Sequence, residues 1–305
     1  MSKKQYFFEE PLVCEMCGSP TGSHKVLGQR LNQSQGLSPH KKTGISVSVK
    51  KCTQCKLIYA SPQPIPHNIL DHYGVPPDDY WPANYFELSP EHSASELSHL
   101  FKFLTMSPGM RALDVGAGIG KSMIAFEKAG FETYGLEASE PFYQLAVNKM
   151  GIDPSRLKLT TIEEADYPDS YFDFIEFGAV LEHFYHPADC IKRSLKWLKP
   201  GGIIHLEVPS SSWLIAKMLN FYYRLRGTNY VTNISPMHTP FHLYEFSLNS
   251  FAELGKHLGF SVVGHRHEVC KIYYLPKFLH PLFNKIMKST DTGMQLIVYL
   301  KKNEN

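Results

Sequence analysis

The sequence has 305 residues, room for one large domain or two modest ones with an ample core, and its 43% apolar and 20% charged residues are ordinary for a folded globular chain. The net charge is only +2 but unevenly spread, and no internal repeat or low-complexity tract is present. The first ten residues lack an apolar core of signal-peptide length, and the longest apolar stretch, around Trp213 to Tyr223, contains Lys217 and Asn220 and is too short to span a bilayer; a cytoplasmic protein without a transmembrane segment is expected.

Residues 1–60 carry nine Lys or Arg against Glu9, Glu10 and Glu15, a local charge of +6 that leaves −4 for the remainder. Four of the six cysteines lie here in two pairs, Cys14-Glu-Met-Cys17 and Cys52-Thr-Gln-Cys55, while Cys190 and Cys270 stand alone. Two such knuckles can converge and present four thiolates tetrahedrally to Zn²⁺. A reducing cytosol disfavours disulfides, and a thioredoxin-like redox motif needs one pair in a βαβ context that this stretch lacks. Residues 1–62 are therefore expected to form a four-cysteine zinc-binding module with Cys14, Cys17, Cys52 and Cys55 as ligands. Four thiolates on Zn²⁺ add −2, lowering the module's charge to about +4. The surplus suits an anionic partner or substrate, or equally a solvated lysine face. Between the pairs, Gly28 to Gly44 reads as a loop, and Ile45-Ser-Val-Ser-Val49 alternates like a strand.

Ser61-Pro-Gln-Pro-Ile-Pro66 is expected to break regular structure and open a linker or lid over residues 63–92, with His72-Tyr73 and Asp79-Tyr80-Trp81 packing on a ligand or merely docking. A helix from about Ser93 to Leu104 starts the last domain, 93–305. Strands are expected at Ala112–Val115, Glu132–Glu137, Leu157–Thr160, Phe172–Phe177 and Ile203–Val208, with helices at Lys121–Gly130, Pro141–Met150 and Ala188–Leu198. Such alternation implies an α/β fold, a parallel sheet with helices on both faces. Gly259–His267 and Met294–Lys301 would complete the sheet, with Cys270–Asp291 between them. Residues 210–246 form an insertion after the fifth strand; its apolar-aromatic run from Trp213 reads as a lid helix, a dimer face or a substrate cover, followed by Arg224 and Arg226.

The chemistry-bearing stretch is Arg111-Ala-Leu-Asp-Val-Gly-Ala-Gly-Ile-Gly120, in which a buried strand meets a glycine turn that opens into a helix N-terminus. Dinucleotide sites space their glycines G-x-G-x-x-G; here the spacing is G-x-G-x-G. Asp114 at the strand end would repel a pyrophosphate but suits a ligand bearing an ammonium and a sulfonium, as S-adenosylmethionine does. Glu137, which ends the next apolar run, can accept both ribose hydroxyls.

Leu113-Asp-Val-Gly-Ala-Gly-Ile-Gly120, Gly135-Leu-Glu137, Phe172-Asp-Phe-Ile175, Val180-Leu-Glu-His183 and Leu198-Lys-Pro-Gly-Gly202 resemble, in order, the successive motifs of class I S-adenosylmethionine-dependent methyltransferases, over about residues 93 to 301. The resemblance implies a Rossmann-like seven-stranded sheet with its closing strands antiparallel. It implies a donor site at Asp114, Gly116, Gly118, Gly120, Glu137 and Ala138. Ile162 and Glu163 would lie at the adenine, and Phe177 with Gly178 at the methionine end. Methyl transfer to a hydroxyl needs in-line positioning and a base. His183, which follows strand four, and His242, in Phe241-His-Leu-Tyr-Glu-Phe-Ser247 with Tyr244, are the candidates. His183 and His186 also have a metal-like spacing, though no third ligand is placed.

A four-cysteine module, a proline linker and the His-x-Tyr-Glu-Phe-Ser segment together resemble zinc-ribbon methyltransferases of sugar and polysaccharide biosynthesis. Some of that group methylate carbon and carry a further C-terminal domain; this sequence ends at Asn305, so O-methylation of a small acceptor is expected, an anionic one in the case of a nucleotide-linked sugar. The alternatives are a quinone or phenol O-methyltransferase, an RNA methyltransferase or RNA-binding protein using the basic module, and a cofactor-binding scaffold. Glu176-Phe-Gly-Ala179 is unlike the boxes of amino-methylating base enzymes, and no RNA-recognition signature is present, so nucleic acid is not the expected partner.

Overall fold

The computed structural model describes residues 5–30, 47–68, 87–89, 91–234, 241–270, 272 and 275–303. Most of the expected loop between the cysteine pairs and the aromatic stretch holding His72, Tyr73, Asp79, Tyr80 and Trp81 lie outside the described residues.

Strands β1 (Tyr6–Glu9), β2 (Lys25–Arg30), β3 (Ser48–Lys51), β4 (Ile58–Ser61) and β5 (Gln63–Pro66) come first, then helix α1 (Ala94–Leu100). β6 (Arg111–Val115), α2 (Lys121–Lys128), β7 (Glu132–Glu137), α3 (Glu140–Asn148), β8 (Leu157–Leu159), β9 (Phe172–Gly178), α4 (Pro187–Trp197) and β10 (Leu198–Pro209) then alternate. α5 (Leu214–Leu225), β11 (Tyr230–Val231) and β12 (Tyr244–Glu245) lie in the insertion, and α6 (Leu248–Leu258), β13 (Phe260–Glu268), α7 (His280–Ser289) and β14 (Gln295–Lys302) close the chain.

The sheet of the large domain has seven strands in the order β13-β14-β10-β9-β6-β7-β8. β10, β9, β6, β7 and β8 run parallel, and β14 pairs antiparallel with both β10 and β13. The expected class I architecture is thus the observed one. The central parallel strands β6 and β9 are almost wholly buried because helices cover both faces. One face packs Ala112, Phe174 and Ile203 against Phe126 and Phe131, whose rings meet Phe174 at 5.2 and 5.9 Å between centroids. The other packs Leu113, Ile175 and Ile204 toward Ile191, Leu195 and Trp197. Parallel strands place their carboxyl ends along one edge, where the crossover loops leave room for a ligand.

The amino-terminal module does not stand apart. A five-stranded sheet runs β11-β2-β3-β4-β12, so the insertion after β10 supplies both of its edge strands. β12 pairs antiparallel with β4 through Tyr244↔Tyr59 and Glu245↔Ile58, and β11 pairs with β2 through Tyr230↔Gln29 and Val231↔Arg30. Buried Glu245 accepts hydrogen bonds from the Ile234 amide at 2.6 Å and Asn233 Nδ2 at 2.7 Å, and buried Arg30 donates to the Ile234 carbonyl at 2.9 Å. Ser247, which caps α6, donates to the Cys55 carbonyl at 2.6 Å and so pins the second cysteine knuckle to the large domain. Arg30 is therefore a structural cation buried in this seam, and Lys50 faces Glu10 at 3.4 Å.

One expectation fails here. Ser61 to Pro66 does not break regular structure: β5 pairs with β1 in a two-stranded sheet, with Pro66 opposite Tyr6 and Pro64 opposite Phe8. Proline is compatible with an extended edge strand, where a missing N–H costs no ladder bond.

Gly28 sits at a register shift between β2 and β3, with φ of +154°, and a Cβ there would lie 2.1 Å from the Asn229 carbonyl oxygen. That carbonyl accepts from the Gln29 amide at 2.8 Å, so the close approach belongs to the seam between module and insertion. Gly28→Ala is expected to destabilise the chain by about 1–3 kcal/mol through overpacking, seen as a lowered urea midpoint. An unchanged midpoint would show that β11 is not held in this way.

Candidate active site

A cavity of about 540 Å³ opens at the carboxyl edge of the sheet, within the size range of small-molecule sites. Asp114 lines it from the end of β6, Gly116 and Gly118 from the loop that follows, Glu137 and Ala138 from the end of β7, and Ile162 from the loop after β8. Gly178, Val180 and His183 line it beyond β9.

The glycine turn is built for close approach. Gly116, Gly118 and Gly120 all have positive φ, and a Cβ on Gly116 would come within 2.5 Å of Val180 Cγ1. The Gly118 amide donates to Glu137 Oε2 and the Ser139 amide to Oε1, each at 2.7 Å. The Glu137 carboxylate is thus fixed by backbone at the cavity wall, oriented to receive vicinal hydroxyls. Burial nevertheless pushes its carboxyl up to about 7. Asp114 is raised well above the usual carboxylate range by burial, with Glu176 and Glu137 adding to it. With Glu96, Glu176 and Glu207 these acids make the lining rich in carboxyl groups, which hold protons more readily than usual until a cation arrives; Lys121, His92 and His183 also line it. A ligand carrying positive charge fits this field, and an adenosine attached to an ammonium and a sulfonium fits the acids and the Glu137 cradle together.

Three expected donor residues are placed otherwise. Gly120 caps α2 in the left-handed region, with Ile152 Cγ1 2.6 Å from where its Cβ would be; its role here is packing. Phe177 is one residue out of phase with Glu176 and Gly178, so it turns to the opposite sheet face and meets Phe184 edge-on at 6.4 Å. Glu163 directs its carboxylate to the Cys190 thiol, 3.8 Å away, and is absent from the cavity lining.

The structure brings His183 and His242 together. Their rings lie 4.7 Å apart at centroids and cross edge-on. His183 Nδ1 is 3.0 Å from the Phe241 carbonyl, which fixes the tautomer with the proton on Nδ1 and leaves Nε2 as the basic nitrogen. His242 Nε2 lies 3.8 Å from Glu182 Oε1, a buried carboxyl that burial pushes up to about 8. The Leu243 amide donates to the Glu182 carbonyl at 2.8 Å, tying the two segments together. Glu182, His183 and His242 place their ligand-capable atoms within 4.8 Å of one another. His186, whose spacing from His183 is metal-like, is not part of this group: it is exposed and faces Glu15 at 3.3 Å.

Tyr244 is not brought to the cavity. Its hydroxyl donates to the Tyr185 carbonyl at 2.9 Å and accepts from Gln63 Nε2 at 2.7 Å, in the interior of the seam between β4 and the large domain. Arg224 and Arg226 are also absent from the lining; both are exposed at the end of α5, with Arg226 donating to the Tyr222 hydroxyl at 3.0 Å. No motif singles out Glu176, Glu207 and His205 in the sequence, although an ionisable group inside an apolar strand is itself a signal.

The four cysteines of the module converge. Cys14 and Cys55 sulfurs are 3.5 Å apart, Cys17 and Cys52 sulfurs 3.6 Å, and all four lie within 4.8 Å of one another. Bonds of about 2.3 Å to a tetrahedral Zn²⁺ would separate sulfurs by roughly 3.8 Å, so the set fits that ion, while a disulfide needs about 2.0 Å.

Comparison with known proteins agrees with this geometry. A sequence model of the family described as a methyltransferase domain matches residues 90–265, more than half of the chain. The chain is 29% identical over 167 residues to a ubiquinone biosynthesis O-methyltransferase of Rhodopseudomonas palustris (strain HaA2), covering 53% of this chain and 62% of that protein. A second Rhodopseudomonas palustris protein of the same name (strain BisB18) is 25% identical over 201 residues, covering 65% and 72%. The chain spans about half to three-fifths of the length of the first such relatives. A phosphoethanolamine N-methyltransferase 2 structure from Haemonchus contortus superposes with a TM-score of 0.50 at 17% identity, over 81% of this chain and 63% of that one, a likeness of fold. The chain belongs to the methyltransferase domain family.

Proposed function

We propose that the chain transfers the donor methyl group to a hydroxyl oxygen of a small molecule, with the His183–His242 pair taking up the hydroxyl proton. The observation that carries this reading is His183 at the cavity, its Nδ1 held on the Phe241 carbonyl and its ring against His242 beside Glu182. When bound, S-adenosylmethionine supplies the electrophilic methyl group. The chain's own residues would hold it: Glu137 would take the ribose hydroxyls, Asp114 the positive end, and Ile162 would offer an apolar wall to the adenine ring. His183 then receives the acceptor proton at Nε2, while the Phe241 carbonyl holds its Nδ1–H and the His242 ring packs against it.

A phenolic or quinol acceptor is the favoured class. Val180 and Phe184 give an apolar wall beside His183, and similar proteins are named ubiquinone biosynthesis O-methyltransferases. A diphosphate-bearing sugar loses its main support, because Arg224 and Arg226 are not at the cavity and the lining is acidic. The four-cysteine module keeps the sugar reading as the second one, on the resemblance to ribbon-bearing sugar enzymes. We assign Cys14, Cys17, Cys52 and Cys55 to a structural Zn²⁺ whose loss would loosen the five-stranded sheet.

Transfer of labelled methyl from S-adenosylmethionine to a panel of catechols, quinols and nucleotide-linked sugars tests the acceptor class. Label in the phenolic acceptors is expected; label confined to sugars would shift the reading to the second class, and label on nitrogen or carbon would end the O-methylation proposal. His183→Ala should lower kcat by about a hundredfold or more while donor affinity stays within about twofold. A matched loss of donor binding would instead make His183 a structural residue. Zn²⁺ content should be near one per chain, and Cys52→Ser should lose the metal and lower thermal stability; a full-length protein that holds no zinc at unchanged stability would contradict the assignment.

A further inference from the structure

Four polar side chains form a row across four adjacent strands of the central sheet. Asp114 on β6 is in register with Glu176 on β9, Glu176 with His205 on β10, and His205 with Tyr299 on β14. Asp114 and Glu176 line the cavity, whereas His205 is completely buried behind them. His205 Nδ1 lies 3.0 Å from Glu176 Oε1, and its ring is held between Phe174 and Tyr299. Burial keeps His205 neutral, lowering it to about 4, so it orients the Glu176 carboxyl group through Nδ1 without adding a counter-charge. Glu176 Oε2 is buried at a residue only 3% exposed and has no charged partner among the described residues, the Ser122 hydroxyl being the neutral group nearest to hand.

A buried carboxylate oxygen aimed into a cavity and lacking a charged partner is costly unless the ligand completes it. The groups facing it cannot supply a charge. Asp114 and Glu207 are acids, and Glu96 on α1 already pairs with Arg266 at 2.8 Å. Ser122 on α2 offers the Glu176 carboxyl only a neutral hydroxyl, which also lies 3.5 Å from His92 Nε2, and burial biases His92 toward the uncharged form. Lys121, the residue before Ser122, also lines the cavity but pairs electrostatically with Glu87.

We infer that Glu176, oriented by His205, is a donor-binding residue that takes the α-ammonium of S-adenosylmethionine together with Asp114. The pair forms a two-carboxylate cradle that selects ligands carrying this cation. Without a cationic ligand two in-register carboxylates in one apolar site share a proton, and burial holds Glu176 at about 8. Arrival of the ammonium expels that proton. The cradle belongs to the donor end alone and serves whichever acceptor is used.

The test is calorimetric binding of S-adenosylhomocysteine, which carries the ammonium, beside 5′-methylthioadenosine, which lacks it. Near pH 6.5, where an α-ammonium is fully charged, the wild-type chain should release about one proton more on binding the first ligand than the second, counted from buffers of different ionisation enthalpy. Glu176→Gln should weaken S-adenosylhomocysteine about tenfold and abolish the extra proton, with 5′-methylthioadenosine unchanged within about twofold. Equal proton release by the two ligands, or equal weakening of both in the variant, overturns the proposal. Should Glu176→Gln fail to fold, the wild-type proton difference decides. Wild-type chain that binds neither ligand would overturn the donor site itself along with this cradle.

Discussion

The two-residue strand Tyr244–Glu245 is the join on which the candidate site depends. It adds to the edge of β4, where the Ala60 amide anchors the residue before it by donating to the Leu243 carbonyl at 2.9 Å. On its other side Leu243 donates to the Glu182 carbonyl, and Phe246 bridges to the end of β10 through Ser210. Strand addition is the means by which an extended segment gains affinity from main-chain bonds alone. Here the segment is internal, and its attachment sets His242 against His183. The cysteine module thereby becomes part of the catalytic domain's architecture: its knuckle receives the Ser247 cap of α6, and Tyr244 is locked between Gln63 and Tyr185.

The second constraint is electrostatic. The sheet edge gathers Asp114, Glu137, Glu176 and Glu207 in a largely buried setting, and burial raises each of them. Such a cluster is unfavourable for the empty protein and is relieved by a cation or by protons. A donor that is positive at its methionine end while its adenosine meets a carboxylate is matched to that cost. The same field disfavours an anionic acceptor, which is why the surface position of Arg224 and Arg226 weighs against the diphosphate reading.

Much of this was legible in the chain. Ala112 to Val115 and Phe172 to Phe177 read as strands because parallel strands covered on both faces leave continuous apolar runs, and both are strands. Asp114 and Glu137 could be picked out because an acid at a strand end beside a glycine turn has few structural reasons to be there. Phe177 and Glu163 show the limit: proximity in sequence names a neighbourhood, while period-two alternation along β9 turns Phe177 away from the cavity and the turn after β8 carries Glu163 toward Cys190. β5 was illegible because prolines that forbid a central strand are tolerated at an edge. Tyr244 was misplaced because nothing local reveals that an insertion pairs with a strand nearly two hundred residues earlier. Glu182 escaped for the same reason, since its partner His242 is brought to it by that pairing.

Assembly of the base by the module is most directly tested by Ala60→Pro, which removes the amide that holds Leu243, with donor binding and single-turnover methyl transfer to the labelled hydroxyl acceptor measured on the same protein. Donor affinity is expected within about twofold of wild type and the transfer rate lowered about a hundredfold, because only the proton acceptor is displaced. Unchanged transfer, or donor binding and transfer falling together, would contradict that assembly.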